Sequence, residues 1–246
     1  MGFRTLCYHE FRKRDEITET GPSLIKVAQD YQDALPRPLF TYVEDFEEQM
    51  AYLKAENYHL LTLEEVRAYY TGKDIPKKSV LLTVDDAYQS FKEYAYPILK
   101  RHNFPIVSFI VLGWLSEEKE AYIPNLSVTM SKEELSEMRD IVTTANHTTL
   151  LHQRYADGST ALQKVSFKEL KRDINECGAF VEESSVFAYP FGIYNKEDML
   201  CLENIDIEFA FTCETGMNTP TTPTLALHRE VVPLGISLEE FKKLVG

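Results

Sequence analysis

No apolar run in this sequence is long enough to cross a bilayer. The longest, residues 104–115, is interrupted by Ser108 and falls well short of the roughly 20 residues a spanning helix needs. Basic residues are also scarce: 26 Lys and Arg stand against 39 Asp and Glu, a formal charge of -13. That sign argues against nucleic acid or an anionic membrane as partner. The four cysteines, Cys7, Cys177, Cys201 and Cys213, include no Cys-x-x-Cys pair. A chain this size does not need disulfides, so buried thiols are expected. The segment from Met1 to His9 lacks the charged stretch, long apolar run and small-residue cleavage site of an export signal. As written the chain is expected in the cytoplasm; a sequence trimmed of its signal would look the same and would belong at the cell envelope or outside it. Low-complexity tracts, repeats and linkers are missing too, so residues 1–246 are expected to form a single domain. Oligomeric state leaves no mark in the sequence.

What is present is alternation. The chain is 44% hydrophobic and 12% aromatic, enough for a substantial core. Short apolar strands are expected at 5–8, 59–61, 80–84, 106–111, 142–145, 186–188, 209–212 and 226–232. Between them lie amphipathic segments such as Phe46, Met50 and Leu53, spaced i, i+4, i+7 on one helical face. Five positions carry Ser or Thr followed three residues later by Glu: Thr41, Thr62, Ser131, Ser166 and Ser237. Each predicts a capped helix start. Repeated strand–helix alternation predicts a parallel sheet, closed into a barrel or doubly wound. In both, the C-terminal strand ends face the active site.

The run 80–84 ends in two adjacent carboxylates, Asp85 and Asp86. Such a pair repels itself and resists desolvation, so it calls for a cation or a proton; the plain alternative is a helix cap. His147 and His152 follow another strand, five residues apart. On a helix they would diverge by roughly 140°, so they reach one ion only if the segment between them turns. With Asp86 they make a two-imidazole, one-carboxylate set able to hold a divalent metal while leaving positions open. Asp85 is then free to act as a base toward metal-bound water. His9, Tyr189 to Gly192 and His228 also fall at or near predicted strand ends on the same rim, whereas His59 and His102 fall on the opposite one.

Thr83-Val-Asp-Asp-Ala87, His147-Thr-Thr-Leu-Leu-His152 and Phe187-Ala-Tyr-Pro-Phe-Gly192 resemble the first three motifs of the polysaccharide deacetylases, the NodB-homology group of carbohydrate esterase family 4. The histidine spacing, Leu6-Cys-Tyr-His9, the 46–53 helix and Leu227-His-Arg-Glu-Val-Val232 with its closing helix are similar to the branch acting on poly-β-1,6-N-acetylglucosamine. The resemblance covers nearly the whole chain. It implies a distorted (β/α)7 barrel and a metal-dependent hydrolase that removes N-acetyl groups from N-acetylglucosamine-containing glycans and releases acetate. It implies Asp86, His147 and His152 as metal ligands, usually for Zn²⁺, with Co²⁺, Ni²⁺ or Fe²⁺ also serving. Asp85 matches the general base, and Phe191 the position whose N–H holds the oxyanion. His228 matches a late histidine that protonates the leaving nitrogen; otherwise it is a core histidine beside a working Arg229. His9 is a second acid or a substrate contact, and Tyr189 and Arg229 are further substrate contacts.

The sequence departs from that pattern in three places. Ala87 replaces a glycine, a change tolerated if φ there is negative. Val84 replaces a phenylalanine, a core change. The arginine that pairs with the base is missing near Phe187, and Arg229 could supply its charge from another strand. That missing arginine favours an alternative, a degenerate relative that binds glycan without turnover. A non-haem oxygenase using the same ligands is a second alternative, opposed by the strand–helix alternation. The long connection between His9 and Thr41 leaves the active-site rim and is expected to shape a groove. Tyr8, Phe11, Tyr31 and Trp114 are candidates for sugar stacking, with core packing the plainer reading for most of them.

Overall fold

The run 79–85 is a strand, and its period of two decides what faces what. Val80, Leu82 and Val84 belong to the apolar layer under the helices, whereas Leu81 packs in the other layer, inside the sheet's curl. The same parity holds for Leu6 and Tyr8 under the helices, and for Phe209 and Phe211 inside, as alternating side-chain direction requires. The computed structural model describes residues 2–17 and 21–246.

Its principal strands are β1 (Arg4–Tyr8), β2 (His59–Leu60), β3 (Ser79–Asp85), β4 (Ile106–Ile110), β5 (Val142–Asn146), β6 (Glu183–Ala188), β7 (Phe209–Phe211) and β8 (Glu230–Val231). They pair in the order β7-β6-β5-β4-β3-β1-β8, with β2 beside the start of β3, and every one of these pairings is parallel. The ring closes through Leu227, which forms a parallel bridge to Phe211 and donates its N–H to the Ala210 carbonyl at 2.8 Å. A few residues later Glu230 and Val231 pair with Leu6 and Cys7. The fold is a distorted (β/α)7 barrel, and the distortion is this crossing of one short segment from β7 to β1. It also explains why the strand expected at 226–232 shrinks to two residues.

Helices α1 (Val43–Ala55), α2 (Leu63–Tyr70), α3 (Tyr96–His102), α4 (Lys132–Ser136), α5 (Phe167–Phe180), α6 (Lys196–Glu203) and α7 (Leu238–Val245) surround the sheet. Thr62, Ser131, Ser166 and Ser237 cap four of them, each accepting from the glutamate N–H three residues on while that glutamate accepts from the cap's own N–H. Thr41 does not cap α1. It lies in a short strand, Phe40–Tyr42, that pairs with Glu10–Arg12, so a non-local ladder replaces the local cap. Asn195 caps α6 with Asp198, a start the Ser/Thr pattern misses.

The connection after β1 also carries strands Ser23–Lys26 and Ala34–Leu35, anchored to Ser127–Val128. It therefore stands as a built wall on the rim where the strands end.

Candidate functional site

Inward parity and C-terminal strand ends together select the site. Asp85 ends β3, Asp86 follows it, His9 follows β1, His147 follows β5 and Cys213 follows β7. All five line one pocket of about 190 Å³, with His152, Tyr31, Trp114, Arg154 and Phe191 on its sides. The wall after β1 contributes Ile25, Tyr31, Asp33 to Pro36 and Leu39. Tyr31 stacks on Trp114 with centroids 5.3 Å apart. Of the four proposed stacking aromatics, these two reach the pocket; Tyr8 and Phe11 pack around Phe46 in the core.

Asp85 is buried and held by three groups. Arg229 donates from Nη1 to Oδ1 at 2.7 Å. On the other oxygen, the Cys7 thiol donates at 3.6 Å and His9 Nε2 stands 3.8 Å away. Burial alone would raise the Asp85 carboxyl, but the Arg229 charge, aided by His147 and His9, overrides it and holds the group well below the usual carboxylate range. Arg229 is fully buried and is itself fixed by a 2.8 Å bond from Nε to the Thr212 carbonyl. The arginine missing near Phe187 therefore has a counterpart 144 residues along the chain from the carboxylate it serves.

Asp86 sits opposite the two histidines. Its Oδ1 lies 3.8 Å from His147 Nε2 and 3.6 Å from His152 Nε2, and it is a buried oxygen without a hydrogen-bond partner. His147 donates from Nδ1 to the Ala188 carbonyl at 2.8 Å. Since a carbonyl only accepts, that bond fixes the tautomer and leaves the Nε2 lone pair facing Asp86. Burial pushes Asp86 well up and Asp85 adds to the push. Burial lowers both His147 and His152, the latter further with the help of its neighbour. An unpartnered carboxylate oxygen facing two neutral imidazole nitrogens fits a divalent ion. Tetrahedral coordination at 2.0–2.3 Å separates ligand atoms by about 3.5 Å. The segment 147–152 does turn: Thr148 has φ +79°, and Asp173 takes the Thr149 and Leu150 N–H groups, each at 2.8 Å.

Three of the expected residues lie outside the pocket lining. Tyr189 lies under the helices with Phe187, and its hydroxyl donates to the Leu225 carbonyl at 3.0 Å. Val186 and Ala188 take the inward positions of β6, so parity turns Tyr189 away. Arg229 is spent on Asp85 and Thr212 and does not face the groove. His228, expected as the acid, has the opposite parity to the inward Arg229. It packs on Gly216, its backbone is clasped by Asn218, and it is not among the pocket residues.

Ala87 has φ +56°, not the negative value expected, and Asp86 before it has φ +72°. A left-handed alanine costs about 1–2 kcal/mol. Burying its methyl in the core returns about 0.8 kcal/mol, which offsets that strain in part. Phe191, at φ +60°, stands at the pocket's edge. Its turn is closed by the Gly192 and Ile193 N–H groups, at 2.8 and 3.2 Å, which leaves the Phe191 N–H outside the turn's own bonds.

Residues 72–210 match the family model for polysaccharide deacetylases. The poly-β-1,6-N-acetyl-D-glucosamine N-deacetylase of Staphylococcus aureus (strain MSSA476) is 30% identical over 184 residues, which cover 72% of this chain and 62% of that protein. The matched part of the chain thus spans less than two thirds of that relative. The protein of the same name from Staphylococcus epidermidis is 25% identical over 236 residues, 92% of this chain and 78% of that one. Among solved structures, the Streptococcus pyogenes deacetylase PplD in complex with acetate superposes with a TM-score of 0.76 at 20% identity, covering 100% of this chain and 99% of that one. IcaB from Ammonifex degensii does so at 0.73 and 22%, covering 99% and 95%. At these identities the superpositions establish a shared fold.

Proposed function

The chain belongs to the polysaccharide deacetylase family, and from that premise we propose that it is a metal-dependent hydrolase removing N-acetyl groups from N-acetylglucosamine residues of a glycan. The observation that carries this reading is the division of labour between neighbours: Asp85 is locked to Arg229 at 2.7 Å, while Asp86 turns its free oxygen to two histidines. The two relatives named as poly-β-1,6-N-acetylglucosamine N-deacetylases make that polymer the first substrate to try. The pocket of about 190 Å³ is smaller than the 300–1,000 Å³ typical of ligand sites. It suits one acetamido group and its sugar ring, with the rest of the chain lying across Tyr31 and Arg154.

Asp86, His147 and His152 would hold the divalent ion, which when bound polarises the acetyl carbonyl and acidifies water. Asp85, kept ionised by Arg229, takes the proton of the attacking water. The Phe191 N–H supports the developing oxyanion. The proton must then reach the leaving nitrogen, and His9 is placed to carry it. Its Nε2 is 3.8 Å from Asp85 Oδ2, its buried Nδ1 has no partner, and burial lowers it to about 4. A neutral imidazole accepts on one nitrogen and donates from the other. The products are acetate and a free amine.

Amine release from β-1,6-linked N-acetylglucosamine oligomers is expected to stop on chelation and to return with Zn²⁺, Co²⁺ or Ni²⁺. Turnover by fully chelated protein, or glycan binding with no acetate release at saturating metal, overturns the reading. The pair at 2.7 Å between Arg229 and Asp85 removes the feature that favoured a non-catalytic relative. His9→Ala is expected to lower kcat about 10²–10⁴-fold, the ordinary range for a proton-transfer group. His228→Ala is expected to stay within about three-fold of wild type, since truncating a group outside the pocket leaves proton transfer untouched. Steady-state rates for the two variants decide between the histidines.

A further inference from the structure

Beside the first ligand set lies a second one with different chemistry. Cys7, His9 and Asp85 are all buried, and one ligand atom from each lies within 4.8 Å of the others. Cys7 Sγ is 3.6 Å and His9 Nε2 3.8 Å from the same carboxylate oxygen, close to the separation of about 3.5 Å that tetrahedral zinc imposes on its ligands. Arg229 occupies only the other oxygen, and the buried Nδ1 of His9 has no partner.

We propose that Cys7, His9 and Asp85 form a second divalent-metal site, selective for thiophilic ions such as Zn²⁺ and Co²⁺. Binding releases the thiol proton to solvent, because the thiolate is the ligand. Thiolate and carboxylate together balance the ion's charge. The nearby Arg229 cation opposes it, so this site fills after Asp86, His147 and His152. Mg²⁺ and Mn²⁺, which prefer oxygen ligands, do not compete for it. Given the roles proposed above for Asp85 and His9, filling this site removes base and proton carrier at once, and excess Zn²⁺ inhibits the enzyme.

Metal-stripped protein titrated with Co²⁺ tests the site without reference to turnover. Wild type is expected to bind two equivalents, the second bringing a near-ultraviolet thiolate-to-cobalt charge-transfer band. Cys7→Ala is expected to bind one equivalent without that band, and Cys213→Ala to keep it. If circular dichroism shows Cys7→Ala unfolded, Cys7→Ser, which nearly preserves volume, takes its place with the same expectation. A single equivalent in wild type, or a band that survives loss of Cys7, overturns the site. In assays, the Zn²⁺ concentration for half-inhibition is expected to rise at least about ten-fold in the Cys7 variant, the low end for losing support at a metal site. An unchanged value overturns the inhibitory role. A protein that shows the cobalt band but never releases acetate keeps the site and refutes the proposed function instead.

Discussion

Asp85→Asn is expected to lower kcat/KM by about 10²–10⁴-fold, the contribution typical of a general base, while one equivalent of Co²⁺ still binds. The replacement is nearly isosteric and its amide oxygen can still accept from Arg229, which now donates at 2.7 Å. What it loses is proton affinity. The ligand set next door is untouched, because the oxygen facing His147 and His152 belongs to Asp86. Asp86→Asn should do the reverse and weaken metal binding first. The adjacent acids, similar in sequence, are thus separated by two readouts, turnover and metal stoichiometry. Activity of Asp85→Asn within ten-fold of wild type, at a temperature where its circular dichroism matches the native protein, would remove Asp85 from the chemistry.

Much of this site was legible because its parts follow from strand parity and rim position. The run 79–85 places Asp85 inward and Asp86 just past the strand, and His147 follows β5 in the same way. Tyr189 and His228 lie off the pocket lining, and the same rule places them there. Small Val186 and Ala188 inside the barrel turn Tyr189 outward, and an inward Arg229 turns His228 away. Cys7 carried a similar signal, since it lies in β1 two residues before His9 and shares its parity. A lone cysteine by itself gave no reason to look there. Other features were closed to sequence reasoning. Thr41 reads as a helix cap until its strand finds Glu10–Arg12, a pairing between distant segments. The left-handed backbone at Ala87 is set by the tight exit from β3, where its carbonyl accepts the Met130 N–H at 2.9 Å.

Arg229→Gln is expected to destabilise the protein by about 3–5 kcal/mol, the cost of leaving one member of a buried ion pair alone. For a chain of this size that corresponds to a fall in Tm of roughly 6–20 °C. The variant loses the cation beside Asp85 and the bond to the Thr212 carbonyl, as well as the guanidinium that lies 5.4 Å from the Phe109 ring centroid. The pH dependence carries the sharper test. Burial raises Asp85 and Arg229 overrides that rise, so the folded pKa lies below the ordinary value. A carboxyl depressed by folding adds stability that is fully present above its unfolded pKa, about 3.9. That stability is lost as pH falls through the folded pKa. Without Arg229, burial acts with little opposition and Asp85 moves upward, so ionised Asp85 becomes a cost that protonation relieves. The stability gap between wild type and variant should therefore be widest near neutral pH, begin to shrink as pH falls through the raised pKa of Asp85 in the variant, and go on shrinking below the ordinary carboxylate range as the wild type loses its own contribution. The acidic limb of kcat/KM should move to higher pH, since that limb reports the base in the free enzyme. Arg229→Lys keeps the charge without the fork and should recover the limb more fully than it recovers Tm. A double variant, Asp85→Asn with Arg229→Gln, should be less destabilised than the sum of the two single changes, because the second substitution removes the buried charge the first leaves unpaired. Denaturation curves at several pH values measure all of these. A gap that does not change with pH, together with an unmoved acidic limb, would mean that Arg229 serves packing and does not govern the ionisation of Asp85.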